Sequence, residues 1–345
     1  MFREIESKRL IIKNFAPSWF AAVMGTGILS LTAYMYSSYI TFLLYVSKVL
    51  FYLNVILFIV LLIPWILRWI LYRRDALGDL FHPVTSNFYP TFSVGMLVLA
   101  SDFIVVGKMI LPALILWFCG AIITIFFALF ILFHMFKGEH VEIHHINPAW
   151  FIPPVGLIVI PIPGSILVNN LSGILHELAV ILNIFGWGTG FFLYIVLLVI
   201  CFYRFILHTP LQNILAPTIW INLGPIGAGT VSLFGLMGST NMISVKEPFL
   251  FFGVLFWSFG IWWLIMAIAM TIYYIRRLSL PYAMSWWAFT FPLGAYVAAT
   301  HKVSSFLGFK IIDYFGILLF CLLFSLWLVT SFFTIKNAFS GRLFK

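Results

Sequence analysis

Apolar and polar residues alternate along this chain on the scale of whole helices. Ten apolar stretches fall at roughly 16–36, 46–72, 87–106, 110–136, 149–168, 177–207, 217–240, 249–275, 285–303 and 312–335. Each is close to or above the roughly 20 residues that a bilayer-crossing helix needs. Hydropathy alone also admits nine or eleven. The connections between stretches are too short to hold a soluble domain. The pattern predicts an all-α integral membrane protein, with residues 1–345 forming a single transmembrane domain and short tails at 1–15 and 336–345.

The stretches are of two kinds. The even-numbered ones are Leu, Ile, Phe and Val almost throughout and end in Arg or Lys. A helix that is apolar on every side faces lipid. The odd-numbered ones share a plan: Pro17-Ser18-Trp19-Phe20 leads to Gly25 and Gly27, and Pro148-Ala149-Trp150-Phe151 leads to Gly156. Likewise Pro217-Thr218-Ile219-Trp220 leads to Pro225 and Gly227, and Trp286-Trp287 to Pro292 and Gly294. The third stretch, with Asn87-Phe88-Tyr89-Pro90 and Gly95, is the weakest copy. The unit is therefore a helical hairpin used five times, at about 16–72, 87–136, 149–207, 217–275 and 285–335. Mid-membrane Pro and Gly need neighbours or a cavity for the backbone groups they free. Five inner helices around an axis, with five outer helices behind them, meet that need, and the axis becomes a candidate pore.

Composition sharpens this picture. Of 345 residues, 63% are hydrophobic and only 8% charged, against roughly 25% charged in a soluble domain. That excludes a cytosolic enzyme, a pump with its own nucleotide domain and a receptor with a folded ectodomain. With the N-terminus placed in the cytoplasm, 14 of the 19 Lys and Arg residues fall on the inner side. This positive-inside bias favours ten helices with both termini cytoplasmic in the cell membrane, and gives the net charge of +9 a topological meaning without nucleic acid. Cys119, Cys201 and Cys321 stand alone in apolar runs, with no disulfide or zinc spacing.

The odd segments, drawn as 14–34, 82–101, 146–168, 216–243 and 284–300, contain no Lys, Arg, Asp or Glu. Their polar side chains include Thr26, Ser30, Ser93, Ser165, Asn222, Thr230 and Thr290, and their bulky ones Phe20, Phe92, Phe151, Phe289 and Phe291. We expect a lumen lined by Phe20, Gly25, Thr26, Phe92, Ser93, Phe151, Pro154, Asn222, Thr230, Thr290 and Pro292. An uncharged, hydroxyl-dotted lumen suits weak binding and release.

The segments NFAPSWFAAVMGTGI (14–28), NPAWFIPPVG (147–156) and SWWAFTFPLG (285–294) resemble those of the tellurite-resistance/dicarboxylate transporter family. That family includes tellurite-resistance membrane proteins, plant slow-type anion channels, malate permeases and sulfite efflux proteins. The resemblance implies five hairpins around a central pore and a homotrimer with one pore per subunit. It also implies a Phe of the ninth helix that plugs the pore, which carries over to Phe291, beside Pro292, with Phe289 in reserve. The cargo it implies is a small anion: a C4-dicarboxylate such as malate, or chloride, nitrate or sulfite. Channel and proton-coupled carrier both stay open, and the carrier would need a titratable group such as His134 or Asp102.

Other signals carry less. His140-Val-Glu142-Ile-His144-His145 has one-turn imidazole spacing, but a solvated loop explains it, and we expect no metal and no cofactor. His176-Glu177 lacks the His that would complete a zinc-protease pattern, since Val180 stands there. Gly224-Pro225-Ile226-Gly227-Ala228-Gly229 lacks the Lys-Ser/Thr ending of a phosphate loop and reads as close helix contact. Gly186 and Gly190 have the spacing of packed membrane helices. Asp102, His134, Glu177 and Asp313 fall near helix ends, within expected reach of water. With 10 acidic residues and no Asp-x-x-Asp pair, no catalytic constellation is visible.

Overall fold

In a computed structural model, which describes residues 7, 9–138, 141–240 and 243–344, the described residues are helical with no strand. The hairpins begin with inner helices α1 (Ala21–Tyr36), α3 (Pro90–Val105), α5 (Ile152–Val159 and Pro161–Leu167), α7 (Leu223–Ser239) and α9 (Phe291–Leu307). Their outer partners are α2 (Phe42–Leu71), α4 (Ile110–Phe136), α6 (Gly173–Leu207), α8 (Glu247–Arg277) and α10 (Lys310–Ser340).

Each inner helix is preceded by a 3-10 segment that carries the repeat's aromatic residues, with proline inside three of the five: Pro17–Phe20, Thr85–Phe88, Pro148–Phe151, Asn213–Asn222 and Met284–Phe289. Pro17 and Pro148 sit at the first position of theirs, where a missing N–H costs nothing. The entry also solves a length problem. A 16-residue helix rises about 24 Å, and four 3-10 residues add about 8 Å, together close to the bilayer core. Outer helices of 27 to 35 residues span it unaided.

Among the described residues, nine helical stretches are long and apolar enough to cross a membrane. The remaining ring member is α9, whose 17 residues are cut from their entry by Thr290 and carry His301 and Lys302 near the far end. The inner stretches are 78–89% buried and the outer ones 28–39%, which separates an inner wall from a lipid-facing belt. The inner helices pack in the cyclic order α1, α3, α5, α7, α9 and back to α1, and each outer helix touches the inner helices on both sides of it.

Glycine brings the walls together. A Cβ on Gly227 would collide with the backbone of Ala295 and Tyr296 in α9, and one on Gly294 with Ile28 in α1. Between the rings, the outer helices donate to the inner helix of the next hairpin. Asn54 of α2 donates to Asp102 of α3 (3.2 Å), Trp117 of α4 to the Ile160 carbonyl at the break in α5 (2.9 Å), and Trp187 of α6 to the Gly229 carbonyl in α7 (3.0 Å). Trp257 of α8 donates to Thr300 of α9 (2.9 Å), and Trp327 of α10 closes the circle on Thr26 of α1 (3.0 Å).

Candidate functional site

Three cavities follow one another along the axis of the inner ring, each lined by side chains from all five inner helices or their entries. The first, about 50 Å³, lies at the 3-10 end among Ser18, Phe88, Ile152 and Trp287. The second, about 40 Å³, lies mid-ring between Ile28, Val98, Val159, Ala228 and Ala295. The third opens to about 720 Å³ at the opposite end, where Ser37, Ser38, Asn169 and Lys302 appear. Among the described residues, Phe291 alone lines both the first and the second. Its side chain is 5% exposed and forms the partition between them. Each of the two narrow cavities holds the volume of a water molecule or two, too little for a hydrated ion.

The lining runs as one stripe per helix with steps of three and four residues. In α1 it passes through Ala21, Met24, Ile28, Leu31 and Met35; around Phe291 in α9 it runs through Ala288, Ala295, Ala298 and Lys302. Four residues before the mid-ring positions, where α9 has Phe291, the matching residues that line the first cavity are Met24, Val155 and Gly224. One repeat thus supplies a phenyl ring where another supplies only a hydrogen. The two narrow cavities hold no charged side chain, and in the middle one Ser101 is the single polar residue. Lys302 is the one charged residue on the wide cavity's lining. Lys108 lies close by, its ammonium 5.0 Å from the ring centre of Tyr34, another lining residue.

Most of the side chains expected in the lumen point away from it. Thr26 faces Trp327 of α10, and Ser30 donates to the Ser47 carbonyl of α2 (3.0 Å). Ser93 accepts from Thr124 of α4 (2.8 Å), and Thr230 donates to the Ile226 carbonyl (2.9 Å) within reach of Gly253 in α8. Asn222 is buried beside Tyr194 of α6. Phe20 and Phe92 meet at 4.9 Å against Phe58 and Trp65 of α2, and Phe151 packs on Tyr194 at 5.5 Å. Gly25 is the contact point of α1 with Thr290 and Trp287, Thr290 donates to the Trp287 carbonyl (2.7 Å), and the Pro154 carbonyl faces Gly190. Of the expected set, Phe291 and Pro292 border the axial cavities, as does Ser165, singled out for its hydroxyl. The reason is hydrogen-bond satisfaction: a hydroxyl in a dry wall needs a fixed acceptor, and those lie between the rings. Phe289 packs at 5.4 Å on Trp220 and 5.8 Å on Trp286, off the axis.

The candidate proton groups also move. Helix α3 continues to Val105, so Asp102 belongs to an inner helix and is 0% exposed, shut from water by Gly27, Asn54 and Val98. Asn54 donates to one of its carboxylate oxygens and the Ser30 hydroxyl lies beside the carboxylate, while Oδ1 has no hydrogen-bond partner among the described residues. His134 lies at the end of outer helix α4, 4.3 Å from Phe130 and 4.8 Å from Phe81, on a side cavity remote from the axial lining. Asp313 faces Tyr39 at the wide mouth, where desolvation and then this carboxylate hold the phenol above its usual range. Glu142 and His145 cap a short 3-10 turn, with desolvation and then His144 holding the His145 imidazole below its usual value. His140 lies outside the described residues, among which no cluster of three or more metal-ligating side chains occurs.

A recurring outer-helix signal escapes a reading fixed on the inner helices. Trp117, Trp187, Trp257 and Trp327 stand 70 residues apart, and three of them are followed by glycine three positions on (Gly120, Gly190, Gly260). These glycines admit Leu97, Ile158 and Tyr296 of the inner wall.

The family model described as SLAC1, voltage-dependent anion channel, matches residues 14–335. An uncharacterized transporter of Methanocaldococcus jannaschii is 54% identical over 345 residues, covering 100% of this chain and 99% of the relative. A sulfite efflux pump of Arthroderma otae is 27% identical over 356 residues (97% of this chain, 94% of the relative). A malic acid transport protein of Schizosaccharomyces pombe is 22% identical over 347 residues (94% and 78%). With the ring, its axial cavities and a match over nearly the whole chain, this protein belongs to the SLAC1 family of anion channels and transporters, as a multi-pass membrane protein.

Proposed function

We propose that this chain passes small anions along the ring axis and that Phe291 is the steric gate. The observation that carries the reading is that Phe291 alone, among the described residues, lines both narrow cavities. The lumen around it is apolar and uncharged, so that it holds an ion weakly and, with the ring in place, excludes a continuous water column. Lys302 and Lys108 at the wide mouth raise the local anion concentration. The first cargo to test is sulfite, given the sulfite efflux relatives, followed by nitrate, chloride and malate. Both chain ends lie on the cytoplasmic side of the cell membrane, and the working unit is a homotrimer with one path per chain.

The test is purified protein in liposomes, wild type beside Phe291→Ala, with anion currents recorded for each cargo. Currents that rise several-fold in the variant and reverse at the anion's equilibrium potential are expected. Unchanged rate and selectivity in Phe291→Ala would reject the gate.

One observation favours a second reading, a proton-coupled carrier. Asp102 is a fully buried carboxyl beside Ser101 of the lumen, with one oxygen unpartnered. Intramembrane carboxyls of this kind are candidate proton carriers. A reversal potential that shifts with a pH gradient in wild type and ceases to shift in Asp102→Asn would favour the carrier; one that ignores pH rejects it.

A further inference from the structure

Two outer helices end in the same Arg-aromatic-Ile-Leu pattern: Arg68-Trp69-Ile70-Leu71 in α2 and Arg204-Phe205-Ile206-Leu207 in α6. Both arginines are buried, 4% and 3% exposed. Arg68 is fully provided for. Its Nε and Nη1 donate to the Lys13 and Phe15 carbonyls at 2.9 Å, and Nη2 pairs with Asp79 at 2.5 Å. Arg204 is not. One nitrogen donates to the Thr209 carbonyl, Nε has no acceptor, and no carboxylate among the described residues is within ion-pair distance. A buried guanidinium without a counter-charge is costly to keep.

Instead of a carboxylate, Arg204 borders a cavity of about 390 Å³ between α6 and α8. Its walls are apolar and aromatic (Phe202, Trp262, Trp263, Met266), and its polar lining is Arg204, the exposed His208 and Tyr274, whose hydroxyl donates to the Leu211 carbonyl (2.8 Å). Trp262 is 46% exposed toward the lipid-facing belt, with Phe202 stacked on it at 6.0 Å. A cationic end at the helix terminus and an apolar body along the belt match an anionic amphiphile. Basic pockets between membrane helices take phosphate headgroups in this way.

We propose that this cavity binds an anionic phospholipid, its phosphate beside the Arg204 guanidinium and His208, its chain along Phe202, Trp262 and Met266. The site is separate from the axial path and does not depend on how that path works.

The test is native mass spectrometry of the full-length protein in detergent, incubated with phosphatidylglycerol or with phosphatidylcholine of the same chains. Wild type is expected to retain one phosphatidylglycerol per chain in preference to phosphatidylcholine. Arg204→Gln removes the charge, and Met266→Trp fills the cavity while keeping Arg204. Each is expected to weaken phosphatidylglycerol retention roughly tenfold to a hundredfold, as loss of a charged hydrogen bond or of the space would. If Arg204→Gln does not fold, Met266→Trp decides alone. Equal retention of the two lipids overturns the site, as does wild-type retention in the folded variants. So does full displacement of the retained phosphatidylglycerol by inorganic phosphate alone. A change of oligomer mass in Met266→Trp, without any lipid bound to wild type, would instead assign the cavity to a second copy of this chain and overturn the lipid.

Discussion

Phe289 and Phe291 are two residues apart at a helix start and have opposite surroundings. Phe291 stands between two cavities on the axis; Phe289 is wedged between Trp220 and Trp286 behind the wall. Truncating Phe291 removes a partition, whereas truncating Phe289 leaves a hole in a packed core. We expect Phe291→Ala to keep near-native thermal stability with raised flux. Phe289→Ala should lose about 3–5 kcal/mol of stability, as buried Phe truncations do, without becoming leaky. Paired melting and liposome flux measurements check both, and a leaky, stable Phe289→Ala would reverse their roles.

At the scale of elements, the inner helices are short, bent or interrupted, and the outer ones hold them. At the break in α5, Ile160–Pro161, the Trp117 indole of α4 donates to the Ile160 carbonyl, which also accepts from the Gly164 N–H. Trp257 and Trp327 reach hydroxyls of α9 and α1 in the same manner. Replacing Trp117 by Phe keeps most of the packing and leaves the Ile160 oxygen with the longer bond from the Gly164 N–H (3.3 Å). Stability should fall by about 0.5–1.5 kcal/mol, the net worth of one hydrogen bond, as read by thermal unfolding in detergent. A Phe variant as stable as wild type would show that packing alone, and not the indole N–H, secures the break.

At the scale of the molecule, charge is kept out of the narrow path and placed at its wide end. Lys302 is solvent-exposed, so its field is long-range and screened by salt. Lys302→Gln should lower anion flux several-fold at low ionic strength, with the deficit vanishing at high salt, because steering acts on encounter. A deficit that persists at high salt would mean that Lys302 binds the ion directly. Lys302→Arg should restore the wild-type rate at low salt.

Much of this architecture was legible in the residues themselves. The apolar stretches and the Pro-aromatic-Gly repeats predicted hairpins, an inner ring and a lipid-facing belt, because burial in hydrocarbon forces hydropathy and backbone satisfaction to agree. Phe291 and Pro292, singled out by their motif, both border the axial cavities. What the sequence did not decide is which face of each inner helix meets the axis. Thr26, Ser93 and Thr230 are hydroxyls that a pore could use, yet each is held by an outer-helix or backbone partner, while Ile28, Val159 and Ala295 line the lumen. Asp102 was placed at a watery helix end, and the tertiary fold seals it behind Asn54 and Gly27. One-dimensional pattern records that a residue lies in a membrane helix; the rotation of that helix about its own axis depends on which partners its polar atoms find. Some of those partners are distant in the chain, 48 residues for Asp102 with Asn54 and 301 for Thr26 with Trp327, so only the closed ring fixes them.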